Sequence, residues 1–242
     1  MHDVIIIGGG PAGLSGALVL ARCRRDIVLL DSSKGRNRFA TEMHNYLSRD
    51  CIPPAEFLTL ARKDLSRYNV KCIDDEAVHA AVEQDSTFTV RTKSDQTLQA
   101  RKLLLATGVR DLLPEIDGFM ATYGKTAHHC PYCDAFEHKD RRMAAYGKGD
   151  AAIGLALSLR TWSDKVTACL DGEAADEKHL ALARKNGIPV RTENVVRLAH
   201  ESGALRAVHF DEGEPLEADA LFFNTGQVQR SDLPRLFGCE FD

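Results

Sequence analysis

Short, wholly apolar runs punctuate this chain at 4–7, 27–30, 103–106 and 220–223, and each stops at a glycine, an acid or a polar step into Thr-Gly. Runs of this length, rich in Ile, Val and Leu, predict strands buried on both faces of a parallel sheet. Between them the period becomes helical. The Ala- and Leu-rich stretch 14–21 reads as a buried helix, and Phe57, Leu58, Leu60, Ala61 and Leu65 mark an amphipathic helix over 55–68, introduced by Pro53-Pro54. From 77 to 92 the pattern alternates, as in Phe88, Val90 and Thr92, with polar turns at 84–86 and 93–95. Those are antiparallel strands.

The second half repeats the plan. A strand is expected over 143–146, an apolar helix through 159, a strand over 165–170 and a helix over 176–185 that ends at Gly187. Alternating strands follow over 195–210, with turns at 201–203 and 211–213. Each half therefore runs Gly-rich turn, helix, acid-ended strand, antiparallel strands, apolar strand and Thr-Gly, so the chain contains a long, divergent internal repeat.

The turns carry chemistry. In Gly8-Gly9-Gly10-Pro11-Ala12-Gly13, Gly8 permits the turn, Gly10 lets the backbone approach a pyrophosphate, Gly13 lets the helix pack on the strand, and Pro11 suits a helix's first turn. The helix N-terminus then faces the phosphates of a dinucleotide. Asp31 closes the next strand about 20 residues on, where an acid accepts hydrogen bonds from a ribose diol. Arg36 and Arg38 follow in the loop that would pass the adenosine half, where a phosphate or adenine contact is open to them. Gly147-Lys148-Gly149-Asp150-Ala151-Ala152 has the form G-x-G-x-x-A and implies a second nucleotide site, with Asp171 as its acid.

Between the two turns lies His128-His129-Cys130-Pro131-Tyr132-Cys133-Asp134. Two thiols separated by two residues close a small disulfide ring, as thiol–disulfide exchange requires. An imidazolium at His128 or His129 would favour a Cys130 thiolate and a neutral imidazole would take its proton; a pair of polar loop histidines is the plain alternative. Zinc needs four ligands, and no second pair stands at zinc spacing, so no metal is assigned. The chain has seven cysteines, and the remaining five, Cys23, Cys51, Cys72, Cys169 and Cys239, are most simply buried small residues in a reducing compartment.

Composition bounds the rest. With 242 residues and 44% apolar content the chain supports two modest cores. A balance of 31 basic against 35 acidic residues, net −4, gives no field that would attract nucleic acid or an anionic membrane. The N-terminus enters its first apolar run without a basic leader and no transmembrane segment is legible, so a cytoplasmic location is expected.

Two such units around a C-x-x-C resemble the pyridine nucleotide–disulfide oxidoreductases, and within them the low-molecular-weight thioredoxin reductases. Residues 8–13, Asp31, Thr107-Gly108, 130–134, 147–152 and Thr225-Gly226 carry the resemblance, which covers essentially the whole chain. It implies an α/β fold of two Rossmann-like, three-layer ββα domains, the second inserted in the first: 1–112 binding FAD and continued by 226–242, and 113–225 binding NADPH or NADH and carrying the dithiol. By the resemblance, Gly8, Gly10, Pro11, Ala12, Gly13, Asp31, Arg38, Thr107 and Gly108 hold FAD, while Gly147, Gly149, Asp150 and Ala152 hold the nicotinamide nucleotide. Cys133 would face the flavin, Cys130 would attack the substrate disulfide, and Asp134 would be the acid/base, assisted by His128 and His129. The implied partner is a protein or small-molecule disulfide or dithiol, and the implied state a homodimer. Cys-Pro-Tyr-Cys is also the glutaredoxin motif, but there it follows the first strand of a small thioredoxin-like fold.

Two departures stand out. NADPH-specific thioredoxin reductases carry basic residues after the second strand of the nicotinamide unit, where this chain has Asp171-Gly172-Glu173-Ala174-Ala175-Asp176. An acid there repels a 2′-phosphate and suits NADH or no nicotinamide, unless Arg184 or Lys185 supplies the charge. Some thioredoxin-reductase-like flavoproteins that oxidise small dithiols with oxygen share this pattern, with histidines beside the C-x-x-C. The family also continues past Thr225-Gly226 into a Gly-Asp segment and a final helix over the flavin, whereas the sequence ends at Asp242. A truncated FAD domain, and in the extreme a flavin-poor nucleotide-binding module, are the corresponding expectations.

Overall fold

The computed structural model describes residues 1–241; Asp242, the last residue of the range 226–242, lies outside them. The chain divides into two compact units, 1–38 with 53–111 and 227–242, and 39–52 with 112–226.

In the first unit, β1 (His2–Ile7), α1 (Pro11–Arg22), β2 (Ile27–Leu30), α2 (Pro54–Leu65), β3 (Val70–Ile73), β4 (Ala77–Val82), β5 (Phe88–Thr92), β6 (Thr97–Leu105) and β7 (Val109–Asp111) follow in order. Six strands form one sheet in the order β3-β2-β1-β6-β5-β4. Ile5 of β1 stands beside Val28 of β2 on one side and Leu103 of β6 on the other, both in parallel register. Because β6 is nine residues long, its first half pairs antiparallel with β5 while its second half pairs with β1, so the antiparallel meander continues the parallel sheet. Alternation of side chains splits the sheet's apolar residues between its faces. Val4, Ile6, Ile27 and Leu29 pack with Leu14, Ala17 and Leu65 of the helices. Ile5, Ile7, Val28 and Leu30 pack with Ala80, Val90 and Leu233 on the other face. Each fully buried Ile or Leu contributes roughly 1.5–3 kcal/mol by leaving water.

The second unit comprises α3 (Phe119–Thr122), β8 (Ala127–His128), α4 (Pro131–Asp134), β9 (Met143–Gly147), α5 (Asp150–Leu159), β10 (Val166–Cys169), α6 (Glu177–Lys185), β11 (Val190–Arg191), β12 (Val195–Glu201), β13 (Ala204–Phe210), β14 (Leu216–Glu217) and β15 (Ala220–Asn224). Its main sheet is parallel throughout, in the order β11-β10-β9-β15-β8. A separate antiparallel sheet, β12-β13-β14, covers one face, where Leu198, Leu205 and Val208 join Phe119, Tyr146, Leu221 and Phe223 in one core. The other face is packed by Ile153, Ala156 and Leu159 of α5 and Ala183 of α6. The chain then returns to the first unit through β16 (Gln227–Gln229), paired antiparallel with β7.

The sequence-based domain limits need one correction. Residues 39–52, expected within the first domain, pack in the second unit. Phe39 lies 5.3 Å, centroid to centroid, from Tyr123, and the Asn45 side-chain amide donates to the Tyr132 carbonyl at 2.6 Å. An apolar and a polar anchor together hold a segment with no regular structure beyond a short bridge of Met43 to Ile52 and the 3-10 turn ending at Phe39. A second correction concerns the lone cysteines: only Cys169 is buried, and Cys23, Cys51, Cys72 and Cys239 are exposed. Cys169 sits inside a parallel strand, whereas the others fall at a helix end, in a loop, on an outer strand of the sheet and beyond the last 3-10 turn.

Candidate active site

A short strand delivers the dithiol to the surface of the second unit. β8 ends at His128, and Cys130, in extended conformation, caps the four-residue helix α4, whose first position is Pro131. The helical turn brings Cys133 back over Cys130; the two form a disulfide, with Cα atoms 5.3 Å apart. Cys130 is half-buried and Cys133 exposed, so the pair is open to a second disulfide or a cofactor. Asp134, the last residue of α4, places a carboxylate oxygen 3.4 Å from His128 Nδ1.

His128 is buried and engaged through both ring nitrogens. Its Nε2 lies 3.1 Å from the Lys125 carbonyl and 3.1 Å from His138 Nε2. A carbonyl only accepts, so the Nε2 proton belongs to His128 and His138 Nε2 is the acceptor. Burial, then the His128 charge, pushes the His138 imidazole down to about 4, so it is neutral near pH 7. Its Nδ1 is buried with no hydrogen-bond partner among the described residues. The result is a chain of polar groups, Asp134–His128–His138, running from the dithiol helix into the core. Sequence reasoning missed His138, which lies on an irregular 3-10 turn with no periodicity to flag it. The other expected imidazole, His129, packs edge-on to Phe223 at 6.2 Å.

In the first unit, β1 turns into α1 through residues 8–10. Gly8 adopts φ +111°, and a Cβ there would collide with the Ala106 carbonyl, so the turn is closed tightly against the end of β6. Gly10 differs: a Cβ on it would meet nothing within 4 Å. Beside this turn lies a cleft of ≈ 260 Å³ lined by Gly8, Leu30, Ser32, Lys34, Glu76 and Thr107. Pro11 and Ala12 form the exposed first turn of α1, and Gly13 packs against the Gly8 carbonyl. Asp31 is at the end of β2 as expected, ion-paired with Arg62 and accepting the Ser33 N–H at 3.1 Å. Arg36 pairs with the buried Asp111 carboxylate, and Arg38 donates to the Lys34 and Gly35 carbonyls. These arginines shape the loop. The turn, the cleft and the open helix N-terminus fit the pyrophosphate end of a dinucleotide.

The second turn is built alike and filled differently. Gly149 takes φ +51°, and a Cβ on it would lie 2.7 Å from the Ala174 carbonyl, so the loop 171–176 closes over it. Asp150, in the first turn of α5, accepts the Asp176 N–H at 2.8 Å, and Lys148 pairs with Glu173 at 3.1 Å. Gly147 and Ala152 pack on each other beneath, a Cβ on Gly147 lying 3.2 Å from Ala152 N. Asp171 accepts the Tyr146 hydroxyl at 2.6 Å and the Val195 N–H at 3.1 Å, and burial followed by that hydrogen bond raises the Tyr146 pKa. Arg184, the alternative source of positive charge, is ion-paired with Glu177. The acid-rich loop 171–176, at the end of β10 where a 2′-phosphate would lie, disfavours that group.

Comparison with known proteins places the fold and the family. The chain is 31% identical to thioredoxin reductase tcpT of Claviceps purpurea over 98% of its own length and 78% of that protein's. Its fold superposes on TrxB of Bacillus anthracis with a TM-score of 0.95, at 30% identity over 100% of this chain and 82% of that one. HlmI gives the same TM-score at 36% identity, covering 99% and 76% respectively. The description "Pyridine nucleotide-disulphide oxidoreductase" matches residues 2–242. With two glycine turns, a redox-type disulfide between them and that match over nearly every residue, the chain belongs to the pyridine nucleotide–disulfide oxidoreductase family.

Proposed function

We propose that this thiol–disulfide oxidoreductase passes an electron pair from a nicotinamide nucleotide, through FAD, to Cys130 and Cys133 and on to a substrate disulfide. The observation that carries the reading is the Cys130–Cys133 disulfide with Asp134 beside it, backed by the His128–His138 pair. FAD would be held by the turn at Gly8, Gly10, Pro11, Ala12 and Gly13, with Asp31 toward its ribose and Thr107-Gly108 at the cleft. Bound flavin supplies the two-electron exchange that opens the disulfide. From there the chain's own residues act. The Cys130 thiolate attacks one sulfur of the substrate disulfide and the other leaves as a thiolate. Cys133 then attacks Cys130, the S–S bond between them forms again, and the second substrate thiolate departs. Asp134 holds and returns the proton at the dithiol, with His128 as its reservoir and His138, kept neutral, fixing the His128 tautomer. Membership in the family implies a flavin, a nicotinamide nucleotide and a disulfide substrate, and its members suggest a homodimer.

Anaerobic addition of NADH or NADPH to the yellow protein tests this directly. Bleaching of the flavin band within a turnover time supports it, and failure of both nucleotides overturns it.

One observation favours a second reading. The closed turn at Gly149 and the acidic loop at Asp171 disfavour NADPH and leave little room for any pyrophosphate without loop movement. Electrons would then enter at the dithiol, from a small-molecule dithiol oxidised to its disulfide, and leave to oxygen. Oxygen uptake with a dithiol and no nicotinamide distinguishes the two.

A further inference from the structure

Segment 39–52 brings three chemically different donors together on the surface of the second unit. His44 Nδ1 lies 3.7 Å from Cys51 Sγ and 3.7 Å from Asp50 Oδ1, while Cys51 Sγ lies 3.6 Å from Asp50 Oδ2. All three ligand atoms fall within 4.8 Å of one another. A zinc ion bonded to one thiolate, one imidazole and one carboxylate in tetrahedral geometry sets its ligands roughly 3.4–3.6 Å apart, from bond lengths near 2.0–2.3 Å. The His44–Cys51 spacing is therefore nearly that of a tetrahedron's edge; the two short Asp50 distances run from different oxygens, so closure on an ion also needs the Asp50 carboxylate to turn.

The surroundings point the same way. The other nitrogen of His44 faces the Glu137 carboxylate at 3.7 Å, the carboxylate–histidine arrangement that orients a metal-bound imidazole and raises its basicity. His44 itself is largely buried, so its ring is held in place. Asp50 Oδ1 is fixed by the Asn45 N–H at 2.9 Å, which leaves Oδ2 toward the sulfur. The local field is negative, with the Asp50, Glu42 and Glu137 carboxylates acting on Cys51. A cation at the centre of these groups reverses that balance.

We infer that His44, Asp50 and Cys51 form a site for a borderline-soft divalent cation of the zinc type, with Glu137 orienting His44 and a fourth position open to water. Binding displaces the Cys51 thiol proton to solvent. The site is separate from the redox pair, but Asn45 on the same loop donates to the Tyr132 carbonyl between the two redox cysteines, so an occupied loop and the dithiol turn share a hydrogen bond.

The experiment uses the full chain with the Cys130–Cys133 disulfide oxidised, so that those thiols cannot bind metal. Zn2+ is titrated in competition with a chromophoric chelator. One ion per chain is expected, with affinity at least about tenfold weaker in Cys51→Gly and Glu137→Gln and unchanged in Cys239→Ala, another exposed cysteine. Cys51 has φ +61°, so glycine relaxes the backbone and the variant keeps its fold. As a second readout on the unmodified protein, Zn2+ should slow alkylation of Cys51 and not of Cys239, read by mass spectrometry. Absence of zinc binding to the oxidised protein, equal binding by Cys51→Gly, or alkylation of Cys51 at an unchanged rate would each overturn the assignment.

Discussion

Burial keeps the His138 imidazole neutral well below the pH at which a free imidazole takes a proton, and this ties the stability of the dithiol support to pH. Above pH 6.5 neither the folded nor the unfolded chain protonates this residue. Between 6.5 and about 4 the unfolded chain binds a proton that the folded one refuses, so stability falls as pH falls through this window, by about 3 kcal/mol across its full width. Chemical denaturation at a series of pH values should show that loss in the parent protein and a much flatter response in His138→Gln. Asp134 belongs to the same scale. Asp134→Asn leaves the carbonyl-type oxygen toward His128 but removes the base, so disulfide reduction should fall by about 10²–10⁴-fold while the Cys130–Cys133 disulfide still forms. An unchanged rate by steady-state assay would remove Asp134 from the proposed proton path.

At the scale of elements, the strand–turn–helix of the first unit separates two kinds of glycine. Gly8→Ala places a methyl against the Ala106 carbonyl at a positive φ, and should destabilise the unit by about 1–3 kcal/mol or more. Gly10 caps α1 at φ −76° with open space before it, so Gly10→Ala should melt within about 0.5 kcal/mol of the parent while its bound flavin, counted by absorbance, drops at least about tenfold. These elements were legible in the sequence because wholly apolar runs such as 4–7 and 27–30 have one good solution, a doubly buried strand. Helix α1 and the repeat in the second unit followed from the same logic. What the sequence did not show was tertiary in origin. Residues 39–52 have no period, and their place depends on tertiary contacts with the second unit, among them the Phe39–Tyr123 ring contact, the Asn45–Tyr132 hydrogen bond and the His44–Glu137 pair. His138 was invisible for a similar reason: a lone histidine on a 3-10 turn carries no pattern, and only the fold brings it to His128. The acid-rich loop 171–176 was read correctly as acidic, but its closure over Gly149 is a matter of backbone path.

For the whole molecule, the repeated plan gives each unit a sheet packed on both faces, and the dithiol belongs to the second unit, beside the turn at Gly149 in sequence. No helix among the described residues is long and apolar enough to cross a membrane. Light scattering of the flavin-loaded protein should give twice the chain mass, in keeping with the proposed homodimer; the mass of a single chain would contradict that state. In the proposed function, flavin and the Cys130–Cys133 pair form one redox chain. It is tested most directly by anaerobic reductive titration of the oxidised protein, counting electron pairs by absorbance against dithionite. Two pairs per flavin are expected in the parent protein, one for the flavin and one for the disulfide, and a single pair in Cys130→Ser or Cys133→Ser. Uptake of only one pair per flavin by the parent protein would show that the disulfide is not connected to the flavin and would overturn the proposed redox chain.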